Sequence, residues 1–365
     1  MNCPRVLVLG NVLAQPPGGV ARHTREVLPR AARLLAESGG ELVVLNGSRA
    51  LQPADLGEAR SLASDLPAGP PLLRLGTEGR VLRATLRSEA RAGQPVDVVH
   101  TAQLPLPFGR LPGDPALVWL THDLRRARTR AGRWIIRRAL RRATGLVTVS
   151  RFVARELADL APEAREKTAI APNGSDHFTP LPRSEQPEYL LHLGHLEPRK
   201  NVDLLLHALA QDETLPDLLC AGAAKPGELE RLQALVRTLH LSGRVRFAGP
   251  FDDQERAELL ARAACVVVPS WLEGFGLAAA EALRAGAPLA IARAGALPEV
   301  AGPYGVSFRP ERADECARAI HTAIARSASE LERGQRHAQR YRWDRSAIKL
   351  VEAWTRFHRF NSSRS

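Results

Sequence analysis

Pro269-Ser270-Trp271-Leu272-Glu273-Gly274-Phe275-Gly276-Leu277, running on through Ala280 to Glu281, Ala282 and Leu283, is the stretch on which the fold turns. The apolar run 265–268 ends just before it, and a helical pattern starts at about Gly276. That order is strand, glycine-bearing turn, helix. A turn of this kind aims backbone N–H groups and the positive end of a helix dipole at one spot, which suits an anion such as a diphosphate. Glu273 lies in the turn, and Glu281 lies eight positions on, inside the helix. Two carboxylates so placed can accept hydrogen bonds from hydroxyls of one extended ligand. Glutamates are common on surface helices, so the spacing alone does not assign them.

The same alternation extends in both directions. Strand-like runs stand at 6–9, 42–45, 96–100, 117–120 and 145–149, with amphipathic helical segments between them. Pro172, Asn173, Gly174, Pro180, Pro182 and Pro187 interrupt the pattern, and Pro and Gly are the strongest local punctuators. The alternation restarts at 189–193, 218–221, 245–247, 265–268 and 289–292. Strand–helix alternation of this kind predicts α/β architecture with parallel sheets covered on both faces. At 365 residues the chain suits two domains of roughly 150–200 residues each. The expected division is 1–172, a linker at 173–187, a second domain at 188–342 and a closing helix at 343–360 with Ala347, Leu350, Val351, Trp354 and Phe357 on one stripe.

Three further strings follow strand ends, where open α/β sheets bind ligands. Leu193-Gly194-His195-Leu196-Glu197-Pro198-Arg199-Lys200-Asn201 carries two adjacent cations suited to a diphosphate leaving group. Pro17-Gly18-Gly19-Val20 lets a ligand approach the backbone. Thr121-His122-Asp123 places a histidine at the carboxyl end of a strand, with Asp123 expected to cap the next turn. Asp252-Asp253 is not read as a metal site, because Asp252 and Glu255 have capping-box spacing. No metal and no resident cofactor are expected.

The bulk properties narrow the choice. Cys3, Cys220, Cys265 and Cys316 are far apart and form no C-x-x-C pair, which argues against a disulfide framework or structural zinc. No apolar run approaches the ~18–20 residues that span a bilayer. The run 6–9 is too short for a secretory signal, so a cytoplasmic protein is expected. The net charge of +12 is nearly all arginine, since lysine occurs only at Lys167, Lys200, Lys225 and Lys349. Arg125, Arg126, Arg128, Arg130, Arg133, Arg137, Arg138, Arg141 and Arg142 crowd one segment around Trp134, Ile135, Ile136 and Leu140. A basic amphipathic helix can lie on an anionic membrane surface, and a solvated helix face is the plainer alternative. No nucleic-acid partner is expected, because no binding signature accompanies the charge.

The 269–283 string, followed by A-G-A-P-L-A-I-A and L-P-E-V-A-G, closely resembles the C-terminal signature of family-4 retaining glycosyltransferases, whose paired glutamates form an E-x7-E motif. The 193–201 string resembles the G-x-L-x-P-R-K-N form of mannosyltransferase-like members. The resemblance is strong over 172–302 and continues in pattern over the first domain. It implies the GT-B architecture: two Rossmann-like doubly wound domains facing a cleft, with a C-terminal helix crossing back to the first. It implies that Glu273 contacts donor-sugar hydroxyls, that Glu281 holds the ribose, and that the amides of Phe275, Gly276 and Leu277 reach sugar or phosphates. Gly194, Arg199 and Lys200 would face the diphosphate. Gly18, Gly19 and His122 would face the donor sugar and acceptor from the first domain, and Pro172-Asn173-Gly174 would be a hinge. Two departures stand out: the A-A-A run before Glu281, and His195 where many relatives carry arginine.

The expected activity is therefore transfer of a hexosyl group from a nucleotide sugar to a glycan or lipid-linked acceptor, with retention of configuration. GDP-mannose is the donor that the R-K-N form favours, and UDP- or dTDP-linked donors are the alternative. The basic segment 125–142 suggests a peripheral position at the inner membrane face. A dinucleotide oxidoreductase is disfavoured, because the first turn lacks G-x-G-x-x-G spacing. A catalytically silent protein on the same scaffold is the rival outside enzymology.

Overall fold

The computed structural model describes residues 3–14, 18–47, 56–64, 71–102, 104, 106, 107 and 109–363; Pro17 lies outside the described residues. Contacts divide the chain into two units, Met1–Asn173 with Trp343–Ser365, and Gly174–Arg342.

The first unit is built on seven parallel strands: β1 (Arg5–Leu9), β2 (Glu41–Asn46), β3 (Arg60–Ala63), β4 (Val98–Thr101), β5 (Ala116–Thr121), β6 (Gly145–Thr148) and β7 (Thr168–Ile170). They lie in the order β3-β2-β1-β4-β5-β6-β7. Val6 of β1 stands opposite Leu42 on one side and Val98 on the other. Both faces of the inner strands are covered, which is why they read as unbroken apolar runs. Helices α1 (Gly19–Glu37), α2 (Pro71–Arg91), α3 (Arg130–Arg142) and α4 (Arg151–Leu160) belong to this unit. α1 buries Ala21, Val27, Leu28, Ala31, Ala32 and Leu35, the three-and-four spacing of one helix face.

The second unit has six parallel strands: β8 (Tyr189–Leu193), β9 (Leu218–Ala221), β10 (Val245–Gly249), β11 (Ala263–Val268), β12 (Leu289–Ala292) and β13 (Val306–Phe308). Their order is β10-β9-β8-β11-β12-β13. Helices α5 (Val202–Gln211), α6 (Glu228–Thr238), α7 (Asp253–Arg262), α8 (Leu277–Arg284) and α9 (Leu297–Ala301) connect them, and α10 (Ala313–Ile324) and α11 (Ala328–Ala338) follow the last strand. From β8 the chain winds outward through β9 and β10, whereas from β11 it winds the other way. The β8/β11 boundary is therefore a switch point, and β1/β4 is its counterpart in the first unit. At a switch point the two loops part, leaving a crevice at the strands' carboxyl ends.

The closing helix, α12 (Trp343–Ser362), belongs to the first unit and packs along α1. Trp343, Ala347, Leu350, Trp354 and Phe357 are buried in a stripe. The Trp354 indole N–H donates to His100 Nδ1 on β4 at 3.1 Å. Gly145 admits Phe357 to the sheet, for a Cβ at that position would lie 2.2 Å from the ring.

Several details differ from the sequence reading. Asn173 closes the first unit, while 174–187, expected as linker, packs onto the second. There Ser175 N–H donates to the Tyr341 carbonyl at 3.0 Å, and Arg183 donates to the carbonyls of Leu260 and Ala263 at 2.5 Å each. The elements β3, α2, β7 and β13 are additions. β3 and β7 are short edge strands of mixed polarity, partly exposed, and α2 contains Gly76 and Gly79, which blur its pattern. The capping box of Asp252 and Glu255 is present at the start of α7. Among the described residues no helix is long and apolar enough to cross a membrane.

Candidate active site

The loops after β8 and β11 meet at the switch point of the second unit. After β8, Gly194 leads into the short 3-10 turn Pro198–Lys200. A Cβ on Gly194 would lie 3.6 Å from the Lys200 ammonium, so the cation stands over the strand end. After β11, residues 269–276 form the loop that carries Glu273. Asn201 locks the two loops together: its side-chain amide donates to the carbonyls of Pro269 (3.1 Å) and Pro310 (2.7 Å). Trp271 N–H donates to the Arg199 carbonyl at 2.9 Å, and Ala296 N–H to the Glu273 carbonyl at 2.8 Å. Gly295, at φ +59°, makes the last contact close, because a Cβ there would fall 2.2 Å from that carbonyl oxygen.

These bonds bring Arg199, Lys200 and Glu273 into one ionic cluster. Lys200 Nζ donates to Glu273 Oε1 at 2.8 Å, Ser270 Oγ donates to the same oxygen at 2.8 Å, and Arg199 Nη1 stands 3.1 Å from Oε2. Glu273 is only 8% exposed. Burial by itself pushes a carboxyl pKa up. Here the charges of Lys200 and Arg199, with the bonds from Lys200 and Ser270, outweigh burial and hold it at about 2. Arg199 is held above its ordinary range in return: burial opposes the charge, and Glu273 and Glu197 more than offset that. The cluster thus presents a fixed carboxylate beside an ammonium.

Downstream, Phe275 is buried with its ring edge-on to Tyr341 at 5.3 Å. Gly276 is the N-cap of α8 and Leu277 its first residue. The amide of Leu277 belongs to the first turn, whose N–H groups a helix cannot pair internally. Glu281 sits in α8 and is buried. Arg256 Nη1 donates to its Oε2 at 2.9 Å, and His177 Nε2 is 3.0 Å from Oε1. Arg256 is itself braced by Asp253 at 3.2 Å and lies over the Phe251 ring at 4.9 Å.

In the first unit, Gly18 is the N-cap of α1 and Gly19 its first residue. One turn on, His23 is buried, and its Nδ1 lies 2.8 Å from Asn173 Oδ1. With the carboxamide oxygen as acceptor, Nδ1 carries the proton and Nε2 the lone pair. The His122 ring, just past β5, stands edge-on to His23 at 4.9 Å. Among the described residues neither Nε2 atom has a hydrogen-bond partner, although both are buried. Burial lowers the pKa of His23 to about 4 against the raising effect of Asn173. His122 is driven well below its usual value by burial, then by His23 and His100. Both rings are neutral at ordinary pH. Asp123 Oδ1 accepts from Arg125 N–H at 3.1 Å, a local turn cap.

Within the second unit the structure joins Arg199, Lys200, Glu273 and Ser270 directly and places Gly194 beneath them. Glu281 has its own partners, and the two glutamates share none. Ser270 and Glu197 lie inside the two motif strings and His177 ends the N-G-S-D-H string 173–177, but none was assigned a role from the sequence, and Arg256 carries no sequence signal. His195 is half-buried at the loop entrance.

Two parallel doubly wound units, the second with a cationic pair and a helix N-terminus at its switch point, define a doubly wound α/β protein. Comparison with known proteins makes the class specific. Residues 17–177 match the model for "Glycosyltransferase Family 4" and residues 175–341 that for "Glycosyl transferases group 1". The MMP alpha-(1->4)-mannosyltransferase of Mycolicibacterium hassiacum is 31% identical over 310 residues, covering 75% of this chain and 73% of that protein. Other curated relatives share 28–33% identity, and the chain spans about half their length or less. Among solved structures, the sucrose-phosphate synthase of Thermosynechococcus elongatus superposes with a TM-score of 0.76 at 20% identity, covering 99% of this chain and 100% of that one. HepE of Anabaena, solved in complex with UDP-glucose, superposes with a TM-score of 0.70 at 19% identity, covering 99% and 100%. The chain belongs to glycosyltransferase family 4 and is a glycosyltransferase of the GT-B fold.

The Glu273 cluster makes a pH prediction. A carboxyl held below its unfolded value contributes stability that is complete above the unfolded pKa and is lost as pH falls through the folded one. The urea-unfolding free energy of the wild type relative to Glu273→Gln should be largest above pH 4.5 and shrink as pH falls toward 2. A difference that does not vary over this range would contradict the ionic cluster.

Proposed function

We propose that the chain is a retaining hexosyltransferase that moves a mannosyl group from GDP-mannose to a glycan or lipid-linked acceptor. The observation that carries this reading is the Lys200–Glu273 pair at the β8/β11 switch point, 2.8 Å apart and built on both flanking loops. The diphosphate lies against Lys200, Arg199, Gly194 and the amides of Phe275, Gly276 and Leu277. Glu273 accepts hydrogen bonds from the sugar hydroxyls, and Glu281, braced by Arg256 and His177, takes the ribose. Gly18, Gly19 and His122 serve the sugar and acceptor from the first unit, with the neutral imidazole acting as a hydrogen-bonding group.

In the reaction the bond from the anomeric carbon to the diphosphate oxygen breaks, and the acceptor hydroxyl oxygen bonds to that carbon on the same face. The hydroxyl proton passes to the departing diphosphate. Negative charge grows on the leaving group, and preorganised cations and amides stabilise it without reorganising. Lys200, Arg199 and the amides take the part that a metal ion plays in other transferases; Asp252 and Asp253 are already engaged as helix cap and partner of Arg256.

The mannosyltransferase named among the relatives and the R-K-N string support the choice of a mannosyl donor. A UDP-linked donor is the second reading, which the UDP-glucose complex of HepE favours. The protein works at the cytoplasmic face of a membrane. Along residues 125–142, Arg125, Arg126, Arg128, Arg130, Arg133, Arg137, Arg138 and Arg141 are exposed. Trp134 among them is 60% exposed. Cationic side chains around a projecting indole suit an anionic bilayer interface.

Two outcomes are expected. Lys200→Met should cut kcat on GDP-mannose, or on UDP-glucose if that is the donor, by about 100-fold or more. Its melting temperature should fall, because Glu273 loses one of its two counter-charges, but the fold should hold through Arg199 and Ser270 and turnover should fall far more than stability; unchanged turnover would remove Lys200 from the site. The protein should sediment with vesicles containing anionic phosphatidylglycerol at low salt and be released as the salt rises. Protein that stays in solution at low salt would remove the membrane reading.

A further inference from the structure

Glu197 belongs to no recognised position of the donor site, yet it is 6% exposed and fully engaged. Its Oε1 accepts from Arg199 Nη2 at 2.7 Å, and its Oε2 pairs with Lys225 Nζ. Lys225 reaches it because the loop after β9 is tied to the loop after β8. Leu196 N–H donates to the Ala223 carbonyl at 2.9 Å, and Lys225 N–H donates to the Leu196 carbonyl at 3.0 Å. Three loops, after β8, β9 and β11, are thereby joined through one carboxylate and one guanidinium. Arg199 passes the constraint on: Nη1 donates to the Leu272 carbonyl at 2.6 Å and pairs with Glu273 Oε2 at 3.1 Å.

The two cations of the R-K pair are therefore not equivalent. Arg199 spends its terminal nitrogens on Glu197, Leu272 and Glu273. Among the described residues Lys200 has Glu273 as its one acceptor, while an ammonium carries three donors. Arg199 is held on three sides by protein acceptors and so is fixed in orientation, whereas Lys200, tied at Glu273 alone among the described residues, can turn its remaining N–H donors toward an anion. The groups Lys225, Glu197, Arg199, Glu273 and Lys200 form a chain of alternating charge that ends on the free-handed cation.

We propose that Glu197 is a positioning residue for sugar transfer: clamped by Lys225, its carboxylate aims the Arg199 guanidinium and through it fixes the loop bearing Glu273, leaving Lys200 to meet the departing diphosphate. The inference rests on the donor-site reading above. Lys225 acts at the far end of the relay, with its side chain 57% exposed, so its removal leaves the core intact.

The test is a double-mutant cycle in the full chain, reading kcat and donor KM for hydrolysis and transfer with GDP-mannose and with UDP-glucose. Glu197→Gln should lower kcat about tenfold or more, the scale of a misplaced catalytic group, while donor KM stays within about threefold. Glu197→Asp, which keeps the charge, should recover part of the loss. Lys225→Met should lower kcat in the same direction. The double variant should be no slower than Glu197→Gln alone, because the two residues act in series. Should Glu197→Gln fail to fold, Lys225→Met decides. A kcat for either single variant within about 1.5-fold of wild type, or losses that multiply in the double variant, would overturn the relay. Wild type that binds neither GDP nor UDP in a calorimeter would overturn the donor-site reading itself. Wild type that binds and turns over while Glu197→Gln matches it overturns this inference alone.

Discussion

The Glu273 carboxylate, buried and ionised between two cations, is the constraint around which the second unit is arranged. Taking a carboxylate out of water costs several kcal/mol even after relaxation. That cost is offset here by Lys200, Arg199 and Ser270, all within 3.1 Å. The partners come from two loops, so the loops have to meet. Asn201 brings them together with its bond to the Pro269 carbonyl, and Gly295, from the loop after β12, lies close against the Glu273 carbonyl because it has no side chain. The sheet's reversal of winding at β8 and β11 supplies the gap in which they meet. Fold and ionic cluster are thus one arrangement seen at two scales.

Buried polar groups around the two switch points are handled in two ways. The second unit keeps charge buried by pairing it, as Glu273 and Glu281 both illustrate. The first unit buries imidazoles and keeps them neutral: His23, His100 and His122 lie far from their ordinary titration range because of burial. A neutral imidazole can donate or accept a hydrogen bond without attracting a counter-ion. A paired carboxylate can hold sugar hydroxyls while its cations face phosphate. Sugar transfer from a nucleotide asks for both kinds of group, since the sugar is neutral and the leaving group is not.

Much of this was legible in the sequence wherever the relevant residues are neighbours along the chain. The alternation of apolar runs and amphipathic segments marked the inner strands β1, β2, β4, β5 and β6, because strands buried on both faces leave no polar alternation to confuse the pattern. It passed over β3, β7 and β13, whose edge positions leave them partly exposed. Arg199, Lys200 and Glu273 were visible as pieces of two strings, and the capping box of Asp252 was visible from spacing alone. Their partners were not. Arg256 lies 25 positions from Glu281 and Asn173 lies 150 from His23, and no periodicity predicts such pairings. The inequality of Arg199 and Lys200 was also hidden, because adjacent letters in a string say nothing of where each side chain spends its donors.

The central claim is that the cluster of Lys200 and Glu273 in the second unit receives the diphosphate of a nucleotide sugar. The most direct test is thermal unfolding of the wild-type chain with saturating GDP, UDP, ADP, dTDP and NAD in turn. A ligand at about 100 times its dissociation constant stabilises the native state by roughly 2.7 kcal/mol. Such a shift is expected with a nucleoside diphosphate, largest with GDP, and a much smaller one with NAD. No shift with any nucleotide, or a shift with NAD alone, would contradict it.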